Sequence, residues 1–320
     1  MEWLVIALLN GVSFGLLLFL LSAGLTLTLS LMGILNFAHA SFYMLGAYAA
    51  FSLSQWVGFF PAMIVAPLLV GLFGAWVEAF LRHRAKSKGH VPELLLTFGV
   101  AMLVTEAVQL VWGRGPVDYR IPNIFDGVFL SVYGHHFSNY RAFMMAISLS
   151  VAVAIWIARY RTRIGLLIQA ARTHPDMLAC LGHDVPRLLK WVFAGGAALA
   201  GLAGVIGGNA FVTEPNMAMA MGNLLFVVVI VGGLGSLIGA FWCALLIGVL
   251  QTMAVTVNVS ALDVWQQLQA VLGQPAAVSV NAARWLTQPL SNYAPLVPYA
   301  LLVAVIAWRP QGLWGSERQP

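Results

Sequence analysis

Charge is what this sequence has least of. Only 8 % of its 320 residues are Asp, Glu, Lys or Arg, against about a quarter in soluble globular proteins, so a chain exposed to water over its whole surface is excluded. The three lysines, Lys86, Lys88 and Lys190, follow Ala, Ser and Leu. There is thus no Gly-Lys-Ser/Thr phosphate loop, and the chain is not itself an ATPase. Two cysteines, Cys180 in a basic segment and Cys243 in an apolar run, give neither a disulfide framework nor a thiolate metal centre. GxSxG and HExxH are missing as well, and nothing clusters nucleophile, base and metal ligands as intramembrane chemistry requires. No enzyme activity, catalytic residue, metal site or cofactor is expected in this chain.

What is there is apolar: 61 % of the residues are hydrophobic. Runs of roughly 20 such residues, enough for about 30 Å of hydrocarbon, recur without a gap large enough for a soluble domain. The expectation is an all-α polytopic membrane protein, one domain over 1–320. The formal charge of +5 is dispersed among loops, so it reports topology and not nucleic-acid binding. Arg82 to Lys88, Arg159 to Lys190 and the tail with Arg309 and Arg318 are placed in the cytoplasm, and the segments 114–141 and 256–295 outside. Ala38-His39-Ala40 mimics a signal-peptidase site, but the apolar stretch before it is far longer than a signal core and lacks a basic n-region, so it reads as a retained span.

Spans are expected at about 4–31, 41–58, 61–81, 93–112, 142–158, 191–212 and 294–308. The run 222–256 is too long for one span and is divided by Gly232-Gly233-Leu234-Gly235-Ser236, giving two short or broken helices and eight to nine segments in all. The pairs Gly11/Gly15, Gly204/Gly208 and Gly235/Gly239 have GxxxG spacing and are expected to let helices pack closely. Gly232, Gly233 and Gly235 are expected to form a hinge.

The basic segment of about 160–190 contains a compact helix signal. Thr173 and His174 precede Pro175, which suits a first turn; Asp176 suits the positive helix end; Gly182 suits a stop. A short helix of about 175–181 would present Met177, Leu178 and Leu181 on one side, either against the lipid interface or as a docking surface for a soluble partner.

Four blocks in order, NFAH within Leu8 to Ala50, LLLTFGVAML from Leu94, VVIVGGLGSLIGAF from Val228 and RPQGLWG from Arg309, resemble the permease subunits of branched-chain amino-acid ABC importers, the LivH/LivM type, and the LivH-like subunit most. The resemblance implies an importer half-channel in a bacterial inner membrane, paired with a second homologous permease, two cytoplasmic ATPases that bind ATP and Mg, and an external solute-binding protein. It also implies that the 173–182 helix is the ATPase contact. The family pattern often continues NFAHG with an acidic residue, where this chain has Ala40-Ser41, leaving branched-chain amino acids, urea, amides or small organic acids open as solutes.

Candidate pathway residues are Asn36, His39, Ser41 and Tyr43, around the junction of the first two spans, with helix-break capping as the alternative for Asn36 and His39. Intramembrane carboxylates are functional candidates. Glu78 can pair with Arg82 four residues on. Glu106 has no neighbour in sequence and either lines the pathway or ties two helices together. Thr213, Glu214 and Asn216 follow the glycine-rich span on the external side, where solute would arrive. A self-sufficient ion-coupled transporter would have to rely on Glu106.

Overall fold

A computed structural model describes residues 2–33, 35–85, 90–132, 135–256 and 288–315. Lys86 and Lys88, and most of the external segment expected over 256–295, lie outside the described residues. Eleven α-helices are described: α1 (Glu2–Met32), α2 (His39–Val57), α3 (Phe59–Ala85), α4 (His90–Trp112), α5 (Asn139–Arg161), α6 (Arg163–Thr173), α7 (Pro175–Cys180), α8 (Val185–Ala210), α9 (Met217–Gly232), α10 (Leu237–Thr256) and α11 (Val297–Trp308). Among the described residues seven stretches are long and apolar enough to cross a membrane, and α9 is a shorter apolar helix. The chain is an all-α polytopic membrane protein, with one addition to the sequence expectation. The segment between α4 and α5 carries a small antiparallel hairpin, β1 (Val128–Val132) and β2 (His135–Ser138).

α1 is apolar on every side, which suits a helix surrounded by protein. It lies between α10, α8 and α5. Glycines set these approaches. A Cβ at Gly11 or Gly15 would strike the α10 backbone, at 2.7 Å from Val249 Cα and 2.8 Å from the Ala244 carbonyl. One at Gly196 would lie 2.8 Å from the Gly24 carbonyl, so α1 and α8 also touch backbone to backbone. α2 crosses α8 in the same way, with Gly46 on Gly201 and Gly204 beneath Tyr43. Gly208 is pressed between Ala47 and Thr213.

α2 begins deep in the bundle. His39, in its first turn, contacts the Leu21 carbonyl through Nε2 at 3.1 Å, and Leu21 precedes the last residue of α1 by eleven positions, about 16 Å of helix. The link 33–38 therefore runs back into the bundle before α2 starts. An Asn36 side-chain oxygen accepts from the Ala38 amide at 3.0 Å and shapes that entry.

Two ends of the bundle are defined by contacts between distant segments. At one, the Val117 amide donates to the Thr213 carbonyl at 2.9 Å, joining the 114–141 segment to the turn after α8, both expected on the external side. At the other, α9 stops at Gly232, Gly233 takes a φ of +100°, and α10 starts at Leu237. Gly235 (φ +81°) lies in that turn and not in a helix, so Gly235/Gly239 is not a helical packing pair. Gly239 instead meets Gly232 across the turn. The tail 309–315 folds onto the same turn, Leu313 donating to the Val231 carbonyl at 2.8 Å and Trp314 to Gly232 at 3.3 Å.

Candidate functional site: a cavity beside α4 and the segment after α5

A cavity of about 650 Å³ lies where α4, the start of α2, and α9 with the turn before it diverge. α9 is only 16 residues long, about 24 Å, and its late start leaves space beside the outer half of α4. On α4 the lining residues are Phe98, Ala101, Met102, Thr105, Glu106 and Gln109, one continuous stripe at i, i+3, i+4, i+7, i+8 and i+11. On the other side Ala218, Met219, Gly222, Asn223 and Phe226 of α9 make a second stripe.

The lining changes character along the axis. Arg114, Glu214 and Asn216 stand at the outer mouth with Gln109, Glu106 and Thr105 just below. About 12–16 Å further in, by the helix rise from Glu106 and Gln109 to Phe98, the floor is aromatic. There Phe37 stands 5.0 Å from Phe226 and 6.3 Å from Phe98, centroid to centroid. The Phe37 amide donates to Thr97 Oγ1 at 3.3 Å, which pins the floor to α4. Among the described residues, Glu106, Arg114 and Glu214 form no salt bridge, whereas Arg82 and Glu78 do at 3.5 Å, as their spacing suggests.

The expected pathway residues divide. Ser41, Glu106, Glu214 and Asn216 line the cavity. Asn36, His39, Tyr43 and Thr213 are buried in the bundle and do not. His39 is wedged at the α1–α2–α8 crossing; because its partner there is a carbonyl, Nε2 must carry the proton. Tyr43 packs under α8, its hydroxyl beside Gly207. Thr213 Oγ1 donates to the Gly208 carbonyl at 3.0 Å, closing the end of α8. Glu106, expected deep in its span and either lining the pathway or tying two helices together, is exposed on the cavity side. Phe37, Phe98, Thr105, Gln109, Arg114, Asn223 and Phe226 went unremarked in the sequence, although the α4 stripe was present in its spacing.

At the other end, the basic segment is more helical than its sequence suggested. Thr162 Oγ1 accepts from the Gly165 amide at 3.3 Å and caps α6, and Gly165 lets α6 fold tightly against the last carbonyls of α5. α6 runs to Thr173, His174 makes the corner, Pro175 and Asp176 open α7, and Gly182 (φ +84°) ends the motif. The apolar side is not as expected. Met177 and Leu181 are 66 % and 77 % exposed, but Leu178 is 4 % exposed and holds α7 to the protein. The Leu178 amide donates to the His174 carbonyl at 3.1 Å and the His183 amide to the Leu178 carbonyl at 3.2 Å, which fixes the backbone turn that carries it. Cys180 is exposed and Cys243 buried, both unpaired. Among the described residues no group of three or more His, Cys, Asp or Glu could hold a metal ion, and His136 is exposed on β2.

The family model described as branched-chain amino acid transport system / permease component matches residues 7–306. The high-affinity branched-chain amino acid transport permease LivH of Salmonella typhimurium is 25 % identical over 96 % of this chain and 94 % of its own. BraD of Pseudomonas aeruginosa, of the same description, is 25 % identical over the same shares. LivM of Escherichia coli is 23 % identical over 93 % of this chain and 68 % of its own.

Proposed function

Because the chain belongs to the branched-chain amino acid transport permease family, we propose that it is the permease subunit of an ATP-driven importer. Its solute is a hydrophobic amino acid, branched-chain ones first, carried by alternating access. The carrying observation is the two-part lining of the cavity: charged and amide side chains at the mouth, Phe37, Phe98 and Phe226 at the floor. An amino acid has the matching halves. Glu106 or Glu214 suits its ammonium, Arg114 its carboxylate, and the aromatic floor its side chain. Urea or a small amide would leave the floor without a partner, and a simple organic acid would meet two carboxylates for one guanidinium.

The assembly follows from which surfaces are left open. α4 is largely unburied, and a second permease of the same family would close the cavity from that side. Met177 and Leu181 on α7 offer apolar contacts to a cytoplasmic ATPase, two of which would bind the ATP and Mg. The 114–138 segment and the 213–216 turn would receive the solute-binding protein. Such a complex belongs in a bacterial cytoplasmic membrane. Movement of the ATPases would act through α7 and α6 on α5, and the bundle would open outward to take solute.

The test is reconstitution of this chain with its paired permease, ATPases and binding protein in proteoliposomes. ATP-dependent uptake of labelled leucine, competed by isoleucine and valine but not by urea or propionate, is the expected result. Uptake driven by an ion gradient without the ATPases would replace the importer reading, and competition by urea or propionate in place of valine would replace the solute.

A further inference from the structure

Away from the cavity, α5 stands apart from α10 and leaves an apolar slot of about 280 Å³, walled by Phe19 of α1, Trp156 of α5, and Ile238, Phe241 and Trp242 of α10. At its end the slot runs into a second hollow of about 300 Å³ lined by Ser30, Gln169, Arg172 and Thr173. Ile155 and Arg159 line both. Among the described residues no carboxylate lines either one, and neither Arg159 nor Arg172 forms a salt bridge. Arg159 stands 5.7 Å from the Tyr160 ring centre, a cation–π distance that holds it at the junction.

We propose that the slot and hollow together bind one anionic phospholipid of the cytoplasmic leaflet, an acyl chain in the slot and the headgroup phosphate between Arg159 and Arg172. A dry slot opening onto unpaired guanidiniums fits a molecule that is apolar at one end and anionic at the other. Trp156, Tyr160 and Trp242 stand where interfacial aromatics meet headgroups, and each Arg near an anionic surface adds about 1 kcal/mol of attraction. The second observation is structural: the hollow is built from the ends of α1, α5 and α6 at once. A phosphate there ties these three ends together one residue before the His174 corner.

The experiment uses the purified full-length chain in detergent, with native mass spectrometry and thermal melting on addition of phosphatidylglycerol, phosphatidylcholine or inorganic phosphate. Phosphatidylglycerol alone is expected to stay bound and raise the melting temperature. The double substitution Arg159→Gln and Arg172→Gln is expected to weaken that binding about 30-fold with unchanged melting in lipid-free detergent. Val153→Trp, which fills the slot from an exposed position, is expected to lose the lipid while keeping both arginines. Equal retention of phosphatidylcholine, full binding in the double variant, or an equal effect of inorganic phosphate overturns the proposal. So does a disulfide between two chains carrying Ile238→Cys, which would show the slot sealed by protein.

Discussion

The amide of Leu313 donates to the carbonyl of Val231 at 2.8 Å, joining the end of the described chain to the last turn of α9. It satisfies a carbonyl that the helix end leaves without an intrahelical partner. The turn and the tail are one unit, with Gly233 and Gly312 in contact and both at positive φ.

Gly233→Ala should therefore damage this unit twice over. Alanine is strained at a φ of +100°, at about 1–3 kcal/mol, and its Cβ would lie 2.5 Å from the Gly315 amide nitrogen. The expected outcome is a lower melting temperature in detergent and faster proteolysis after Arg309. Parental values for both would remove the clasp.

Gly46 and Gly195 make a matched pair. Gly46→Ala drives a methyl into the Gly201 backbone, whereas nothing lies within 4 Å of a Cβ at Gly195. Overpacking at a backbone contact costs about 1–3 kcal/mol or more. Gly46→Ala should reduce the yield of folded protein in size-exclusion chromatography, and Gly195→Ala should leave it within error.

The α7 surface separates stability from coupling. Leu178→Asp places a carboxylate in a buried position and should lower the melting temperature; Met177→Asp with Leu181→Asp changes exposed side chains and should not. In the reconstituted complex the exposed pair is expected to uncouple ATP hydrolysis from uptake. Coupled uptake at the parental rate in that double variant would take the ATPase contact away from α7.

At the cavity, Glu106→Gln should change uptake kinetics or solute preference with the melting temperature unchanged, because among the described residues its side chain forms no salt bridge. Glu106→Leu should melt at the parental temperature too. A destabilised Leu variant beside a silent Gln variant would instead give Glu106 the interhelical role.

How much of this was readable in the sequence depended on range. The α7 start, from His174 through Pro175 and Asp176 to Gly182, is local chemistry, and it lies where the sequence put it. So does the break at Gly232–Ser236. The inward turn of Leu178 was not readable, because it is set by packing that a six-residue pattern does not contain. α6 was missed although Thr162 and Gly165 carry its cap, since the basic residues around it read as loop. The cavity depends on α4 and α9 facing each other, which no spacing within either helix reveals. His39 and Tyr43 lie near the right junction, yet they face α1 and α8, whereas Ser41 faces the opening. Ser41 is two residues from each, about 200° around α2, which puts it on the opposite face.

α2 has a consequence for how the protein is made. It is not among the helices long and apolar enough to cross a membrane, yet its first half is buried, and it packs mainly against α8, α3 and α9. Lipid is a poor environment for its His39 and Tyr43, and the α8 surface that helps to shelter them is synthesised some 150 residues later. α2 therefore reaches its final depth only after Gly196–Gly208 has entered the membrane, and the order of insertion is not the order of translation. A nascent chain ending before Val185 should leave α2 accessible to water-soluble thiol reagents at an introduced cysteine, and one extended past Ala210 should protect it.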